Sequence, residues 1–173
     1  MLDEKKSFEM LEGFQAHYNY DTNYMKDMLK ENPEAYETFE AFLPMASFVN
    51  EAPKDVIFVA RLTSMKNEDC GACLQLNVDM ALEAGVNKEI IQDIIFNEGN
   101  TLSAELKTVY DFTLCVGNKQ DVDAKLYDEI NKLYSKKVLV EIALAIAGTK
   151  VFPTVKRVLN DFQTCSNIQI KVK

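Results

Sequence analysis

Apolar residues recur at spacings of three and four along most of the 173-residue chain, and this period constrains the fold more than any other feature. It is the period of an amphipathic α-helix, whose buried face repeats every three or four residues. The chain has only six glycines and four prolines, which disfavours a turn-rich all-β fold. Its length suits one well-buried domain. The sequence therefore predicts a single all-α domain.

Residues that favour helix starts mark several of the predicted helices. Asn32 precedes Pro33 and Glu34, where asparagine caps the helix, proline supplies its first φ angle and glutamate meets the positive end of the dipole. Pro53 opens a helix that is apolar around much of its surface and is therefore expected at the centre of the fold. The other predicted helices lie within residues 3–18 and start at Asp69, Asn87, Ser103, Asp121 and Ser135, the last reaching Phe162.

The charge and the termini restrict the possible partners and compartment. A formal charge of -8 and a pI near 4.8 argue against binding to nucleic acid or to an anionic membrane surface. The first residues, MLDEKKSFEM, do not resemble a signal peptide, and the longest apolar run, 138–148, is interrupted by Glu141 and is too short to span a bilayer. The sequence predicts a cytoplasmic protein, in which thiols stay reduced.

Two of the four cysteines lie three residues apart in the stretch NEDCGACLQLNVDMALEAG. With Asp69 as the cap, Cys70 and Cys73 would lie one turn apart at the start of a helix that ends at Gly85. This spacing permits a disulfide, and a helix N-terminus favours the reactive thiolate. The negative charges of Glu68 and Asp69 oppose that effect, so the sequence leaves the thiol pKa open.

Three interpretations of the cysteine pair compete. A structural zinc site needs about four ligands, but the chain has no second C-x2-C, and His17 is its only histidine. Cys115 and Cys165 stand alone on apolar faces, which is more typical of core residues than of ligands. Two small buried cysteines are the second interpretation. A redox-active dithiol is favoured, without metal, flavin or nucleotide.

The segment Pro53 to Ile94, PKDVIFVARLTSMKNEDCGACLQLNVDMALEAGVNKEIIQDI, resembles the alkylhydroperoxidase D / carboxymuconolactone decarboxylase family. The later stretches LSAELKTVYDFTLCV and KKVLVEIALAIAGTKVFPTVKRVL extend the resemblance to about two-thirds of the chain. It implies an alkylhydroperoxidase D-like helical fold over residues 1–173, with a core at 33–164 and an N-terminal helical extension at 1–32. It also implies a homo-oligomer.

The resemblance assigns roles to the two cysteines. In the redox branch of the family the second cysteine attacks peroxide and the first resolves the product, which corresponds to Cys73 and Cys70. A glutamate and a histidine form the family's proton relay, but Phe58 and Asn77 occupy those positions here. Asn77 can hydrogen-bond a thiolate but cannot take up a proton at neutral pH.

The predicted function is a cytoplasmic thiol-dependent oxidoreductase that needs no cofactor and no metal. Cys73 would attack a hydroperoxide or a disulfide, Cys70 would resolve the product, and an external dithiol would restore the pair. Asn77, Glu68 and Asp69 are candidate supporting residues. The alternative is a non-catalytic helical scaffold or a small-ligand-binding protein with the same fold, which the missing relay favours.

Overall fold

The computed structural model describes residues 2–161 and 167–171. Within these ranges the regular secondary structure is entirely α-helical, which confirms the predicted all-α class. The described helices are α1 (Glu4–Tyr18), α2 (Asn23–Glu31), α3 (Pro33–Glu40), α4 (Leu43–Ala46), α5 (Lys54–Asn67), α6 (Gly71–Glu83), α7 (Lys88–Phe96), α8 (Ala104–Gly117), α9 (Ala124–Leu133) and α10 (Lys136–Val158).

Helix α5 lies at the centre of the fold, as its all-round apolar surface predicts. It packs against α6, α7, α8 and α10. Ile57, Val59 and Leu62 have no solvent exposure, and burial of each such side chain contributes about 1.5–3 kcal/mol. Because α6 follows α5 after only three residues, the central helix also fixes where α6 begins.

The N-terminal helices form a second hydrophobic cluster beside this core. Leu11, Tyr24, Leu29 and Tyr36 are its buried members, and Leu76 of α6 packs against them. Helices α1–α3 therefore cover one side of α6. This placement brings N-terminal side chains close to the cysteine pair.

Most of the predicted helix starts are confirmed at the level of individual hydrogen bonds. The Asn32 side chain accepts from the backbone N–H of Ala35 at 3.1 Å. The side chains of Asn87, Ser103 and Ser135 cap α7, α8 and α10 in the same way. Each of these caps satisfies a backbone donor that has no partner within its helix.

Two predicted caps and one helix end are wrong. Cys70, not Asp69, is the N-cap of α6, because Asp69 takes a left-handed conformation with φ 51°. Asp123, not Asp121, caps α9 and accepts from the N–H of Leu126 at 2.9 Å. Helix α10 ends at Val158, short of the predicted end at residue 162, which lies outside the described residues.

Glu141 interrupts the apolar run of α10 because it holds the loop that precedes α5. Its carboxylate is 3% exposed and accepts from the backbone N–H groups of Asn50, Glu51 and Ala52 at 2.9, 2.9 and 3.1 Å. By length and composition alone, α10 is the one described helix that is long and apolar enough to cross a membrane, contrary to the sequence-based expectation. Helix α10 packs against α5, and its Glu141 carboxylate accepts hydrogen bonds from the loop before α5. Both are features of a core helix.

We expect Glu141→Gln to lower the free energy of unfolding by about 2 kcal/mol, because the amide keeps only one acceptor oxygen and turns its NH2 group toward at least one of the three backbone N–H donors. Burial raises the pKa of Glu141, but the three N–H donors outweigh burial and hold it below its ordinary value of 4.5. The stabilisation that the ionised Glu141 carboxylate provides is therefore fully present above pH 4.5. It disappears as the pH falls through the lower pKa that Glu141 has in the folded protein.

Urea unfolding followed by circular dichroism at neutral and acidic pH measures this difference. Glu129→Gln, which breaks a surface pair with Lys125, is the matched control and is expected to change stability by less than about 1 kcal/mol. Equal stability of Glu141→Gln and the wild type at neutral pH would contradict the assignment.

The C-terminal tail packs against α6 without forming regular secondary structure in residues 167–171. The backbone N–H of Gln169 donates to Oε1 of Gln75 at 2.7 Å, and Nε2 of Gln75 donates to the Gln169 carbonyl at 2.9 Å. Ile168 and Ile170 pack against the main core. These described tail residues form no strand.

Candidate functional site

The two cysteines occupy the first turn of α6, where their sulfur atoms lie at disulfide-bonding distance. Their Cα atoms are 5.3 Å apart, which lies within the normal range for a disulfide. Cys70 takes the extended backbone of an N-cap, and Cys73 is the third residue of the helix. The spacing therefore produces the covalent geometry that the sequence predicts as possible.

Both sulfurs are shielded from bulk water, since Cys70 is 1% exposed and Cys73 is 2% exposed. Cys73 nevertheless lines a cavity of about 330 Å³ between the N-terminal helices, α5, α6 and α10. Met10 and Leu43 also line this cavity and are 49% and 37% exposed, so it reaches the protein surface. Cys70 is not among the lining residues. A small molecule that enters the cavity therefore meets Cys73.

Tyr20 provides a hydrogen bond to the cavity-facing cysteine. Its hydroxyl lies 3.7 Å from Sγ of Cys73, and both groups are buried. A sulfur in a disulfide carries no proton, so the phenol is the donor in this pairing. Burial, with the negative charges of Asp161 and Asp21, raises the pKa of Tyr20 to about 12. The phenol therefore stays protonated and able to donate throughout the neutral range.

A buried lysine supports the tyrosine. Lys156 is 2% exposed, and its Nζ lies 4.8 Å from the ring centroid of Tyr20 and 5.0 Å from that of Tyr24. The same ammonium is 3.6 Å from the carboxylate of Asp161. Cation–π contacts of this kind stabilise a buried cation and restrict the rings that surround it. Lys156 therefore holds Tyr20 against Cys73.

The predicted supporting residues occupy the neighbourhood of the pair but have other contacts. Nδ2 of Asn77 donates to the backbone carbonyl of Cys73 at 2.9 Å, and Asn77 also lines the cavity. The carboxylate of Glu68 lies 3.6 Å from Arg157, which also donates to the Glu68 carbonyl. Asp69 is exposed at the left-handed turn between α5 and α6. The arginine pair offsets part of the negative charge beside the cysteines.

Phe58, at the first relay position, and His17 do not line the cavity. Phe58 is buried on α5, with the Arg61 guanidinium 5.4 Å from its ring centroid. His17 forms a 3.0 Å contact with Glu83 at the far end of α6 from Cys73, and ten helical residues correspond to about 15 Å. Histidine does not reach the sulfur even though α1 lines the cavity.

Sequence reasoning missed Tyr20 and Lys156. Tyr20 lies in the connection between α1 and α2, and Lys156 is one of five cations in α10, so neither residue type signals a site in the sequence. Cys115 is unpaired and half-buried, and Cys165 lies outside the described residues. Within the described part of the chain, no three His, Cys, Asp or Glu side chains converge as metal ligands do.

The chain matches no protein-family model, and no curated protein matches it at a significant level. The geometry of the cysteine site therefore carries the functional proposal.

Proposed function

We propose that this protein is a thiol-dependent oxidoreductase that reduces hydroperoxides through the Cys70–Cys73 pair. One observation carries the proposal: a sulfur at disulfide-bonding distance from a second cysteine lines an open cavity and accepts a hydrogen bond from a protonated phenol. Buried structural cysteines have no need of such a cavity. Lone cysteines, by comparison, behave as small apolar residues.

The proposed cycle has three balanced steps. The Cys73 thiol reacts with a hydroperoxide, breaking the O–O bond, to give a sulfenic acid and an alcohol. The Cys70 thiol attacks the sulfenic sulfur and releases water, which closes the disulfide. An external dithiol then exchanges with that disulfide, returning both cysteines to thiols and becoming a disulfide itself.

Two features of the site favour the thiolate that begins this cycle. Cys73 lies in the first turn of α6, where backbone N–H groups without helical partners and the helix dipole stabilise negative charge. The Tyr20 phenol adds a hydrogen bond to the charged form of the thiol. Tyr20 thus replaces part of the stabilisation that a histidine relay supplies, but it does not serve as a base at neutral pH.

The proposal includes the wider setting predicted from the sequence. A reducing, cytoplasmic location would supply the dithiol, and membership of the alkylhydroperoxidase D-like family would make the protein a homo-oligomer. The paired spacing of Cys70 and Cys73 and the central position of α5 are consistent with that family. A disulfide substrate in place of the hydroperoxide would use the same two sulfurs.

A second candidate is a small-ligand-binding protein without catalysis. The mainly apolar cavity favours it, as does the presence of Phe58 and Asn77 at the relay positions. The two candidate functions differ in whether the cysteine pair cycles between the thiol and disulfide forms during a reaction.

The test is the consumption of tert-butyl hydroperoxide with dithiothreitol as electron donor. We expect one alcohol formed for each dithiothreitol oxidised, at a rate above the uncatalysed background and proportional to protein concentration. Cys115→Ser serves as the matched control and keeps the wild-type rate. A rate equal to the background would leave ligand binding as the function.

A further inference from the structure

Arg61 introduces a positive charge into the wall of the cavity that contains Cys73. Its Nε and Nη2 atoms are buried and have no hydrogen-bond partner among the described residues. Its guanidinium instead stacks on the Phe58 ring at 5.4 Å. Burial lowers the pKa of Arg61, but arginine remains charged at neutral pH. Arg61 forms no ion pair among the described residues, and a partly buried charge without one is unfavourable, so an anion beside it in the cavity would be stabilised.

The rest of the cavity suits an apolar molecule with a single charged group. Most of the lining is apolar and includes Met10, Phe14, Met25 and Phe152. Among the described lining residues, Glu40 is the other charged one, and it already accepts a hydrogen bond from the Tyr36 hydroxyl at 3.4 Å. The cavity volume of about 330 Å³ falls at the small end of the range for ligand pockets.

We infer that the cavity binds a small amphipathic carboxylate, with its apolar chain among the methionine and phenylalanine side chains and its carboxylate paired with Arg61. A guanidinium is the side chain best suited to pairing with a carboxylate away from water. The binding of a carboxylate stands by itself, whereas the choice of substrate described next rests on the proposed function. The substrate class is then an organic hydroperoxide that carries a carboxylate, reduced at Cys73 to the corresponding hydroxy acid.

Binding of octanoate, with octanol as the uncharged probe of equal chain length, tests the inference without any redox step. In isothermal titration of the wild-type protein, octanoate is expected to bind more tightly than octanol. Arg61→Gln is expected to weaken octanoate binding by about 10- to 100-fold, the usual loss for a hydrogen-bonded charge. Arg61→Gln should leave octanol binding nearly unchanged. Arg61→Lys should retain part of the preference for octanoate over octanol.

Two controls separate the pocket charge from overall charge and folding. Lys137→Gln removes an exposed cation that pairs with Glu51 and should leave both ligands unaffected. Glu40→Gln removes the other charge of the cavity and should keep or strengthen octanoate binding. Octanoate binding that is no tighter than octanol binding, or that is unchanged in Arg61→Gln, would overturn the inference.

Kinetics distinguish this inference from the proposed function. Arg61→Gln should raise the KM for a carboxylate-bearing hydroperoxide and leave that for tert-butyl hydroperoxide unchanged. An equal rise in KM for both hydroperoxides would overturn the role of Arg61 in selecting substrates. Arg61-dependent binding of octanoate in a protein that reduces neither hydroperoxide would support the carboxylate site and refute the proposed function.

Discussion

Cys73→Ser is expected to lower dithiol-dependent hydroperoxide reduction by about 10³-fold or more, since removal of an attacking nucleophile typically leaves only background catalysis. Cys73 is the sulfur that lines the cavity and accepts the Tyr20 hydrogen bond. A serine hydroxyl has a similar shape but does not ionise near neutral pH. The measurement is the rate of tert-butyl hydroperoxide consumption in the presence of dithiothreitol.

Cys70→Ser distinguishes the attacking sulfur from the resolving sulfur. This variant should react once with hydroperoxide and accumulate a sulfenic acid on Cys73, which dimedone labels and mass spectrometry locates. Cys115→Ser, which alters a half-buried cysteine outside the pair, should turn over normally. Full activity in Cys73→Ser, or sulfenic acid found on Cys70 in place of Cys73, would contradict the assignment of roles.

Tyr20→Phe is expected to destabilise the Cys73 thiolate by removing its hydrogen bond and to slow the reaction at neutral pH about tenfold. The phenol donates to the sulfur at 3.7 Å, and its own pKa of about 12 keeps it protonated over the working range. Loss of this bond destabilises the thiolate, so the pH–rate profile should move to higher pH. The variant should recover much of the wild-type rate in alkaline buffer.

Thiol alkylation by iodoacetamide as a function of pH measures this movement directly in a Cys70→Ser, Cys115→Ser, Cys165→Ser background, in which Cys73 is the one remaining cysteine and is compared with and without Tyr20. Tyr127→Phe is the matched control, because that ring is 46% exposed on α9. An identical pH profile in Tyr20→Phe and the wild type would show that the phenol only packs against the sulfur.

The sequence predicts those parts of the fold that local chemistry controls. Asn32, Ser103 and Ser135 cap helices where expected because a side-chain oxygen reaches the N–H three residues ahead. The position of α5 at the centre follows from apolar residues on all its faces. The spacing of the cysteines likewise predicts a possible disulfide before any tertiary contact is known.

Competing local signals explain the wrong caps. Asp121 and Asp123 both precede α9, and either is a suitable cap by composition, but the Asp123 side chain is the one that accepts from the backbone N–H of Leu126. At α6, the left-handed turn at Asp69 moves the start of the helix one residue onward, to Cys70. These differences depend on backbone angles that residue types do not specify.

The surroundings of Cys73 depend on contacts between distant segments. Tyr20 and Cys73 are separated by 53 positions in the chain, and Lys156 approaches them from the last helix. Their meeting depends on the packing of α1–α3 and α10 against α6, for which a single sequence carries no direct signal. Arg61 lines the same cavity as Cys73, from α5.

The most direct test of the central claim is disulfide mapping after a single turnover. Fully reduced protein is mixed with one equivalent of tert-butyl hydroperoxide, alkylated, and analysed by peptide mass spectrometry for both cysteines and for tert-butanol. The account predicts a Cys70–Cys73 disulfide and an equal amount of alcohol. Two alkylated thiols with the hydroperoxide intact would contradict it.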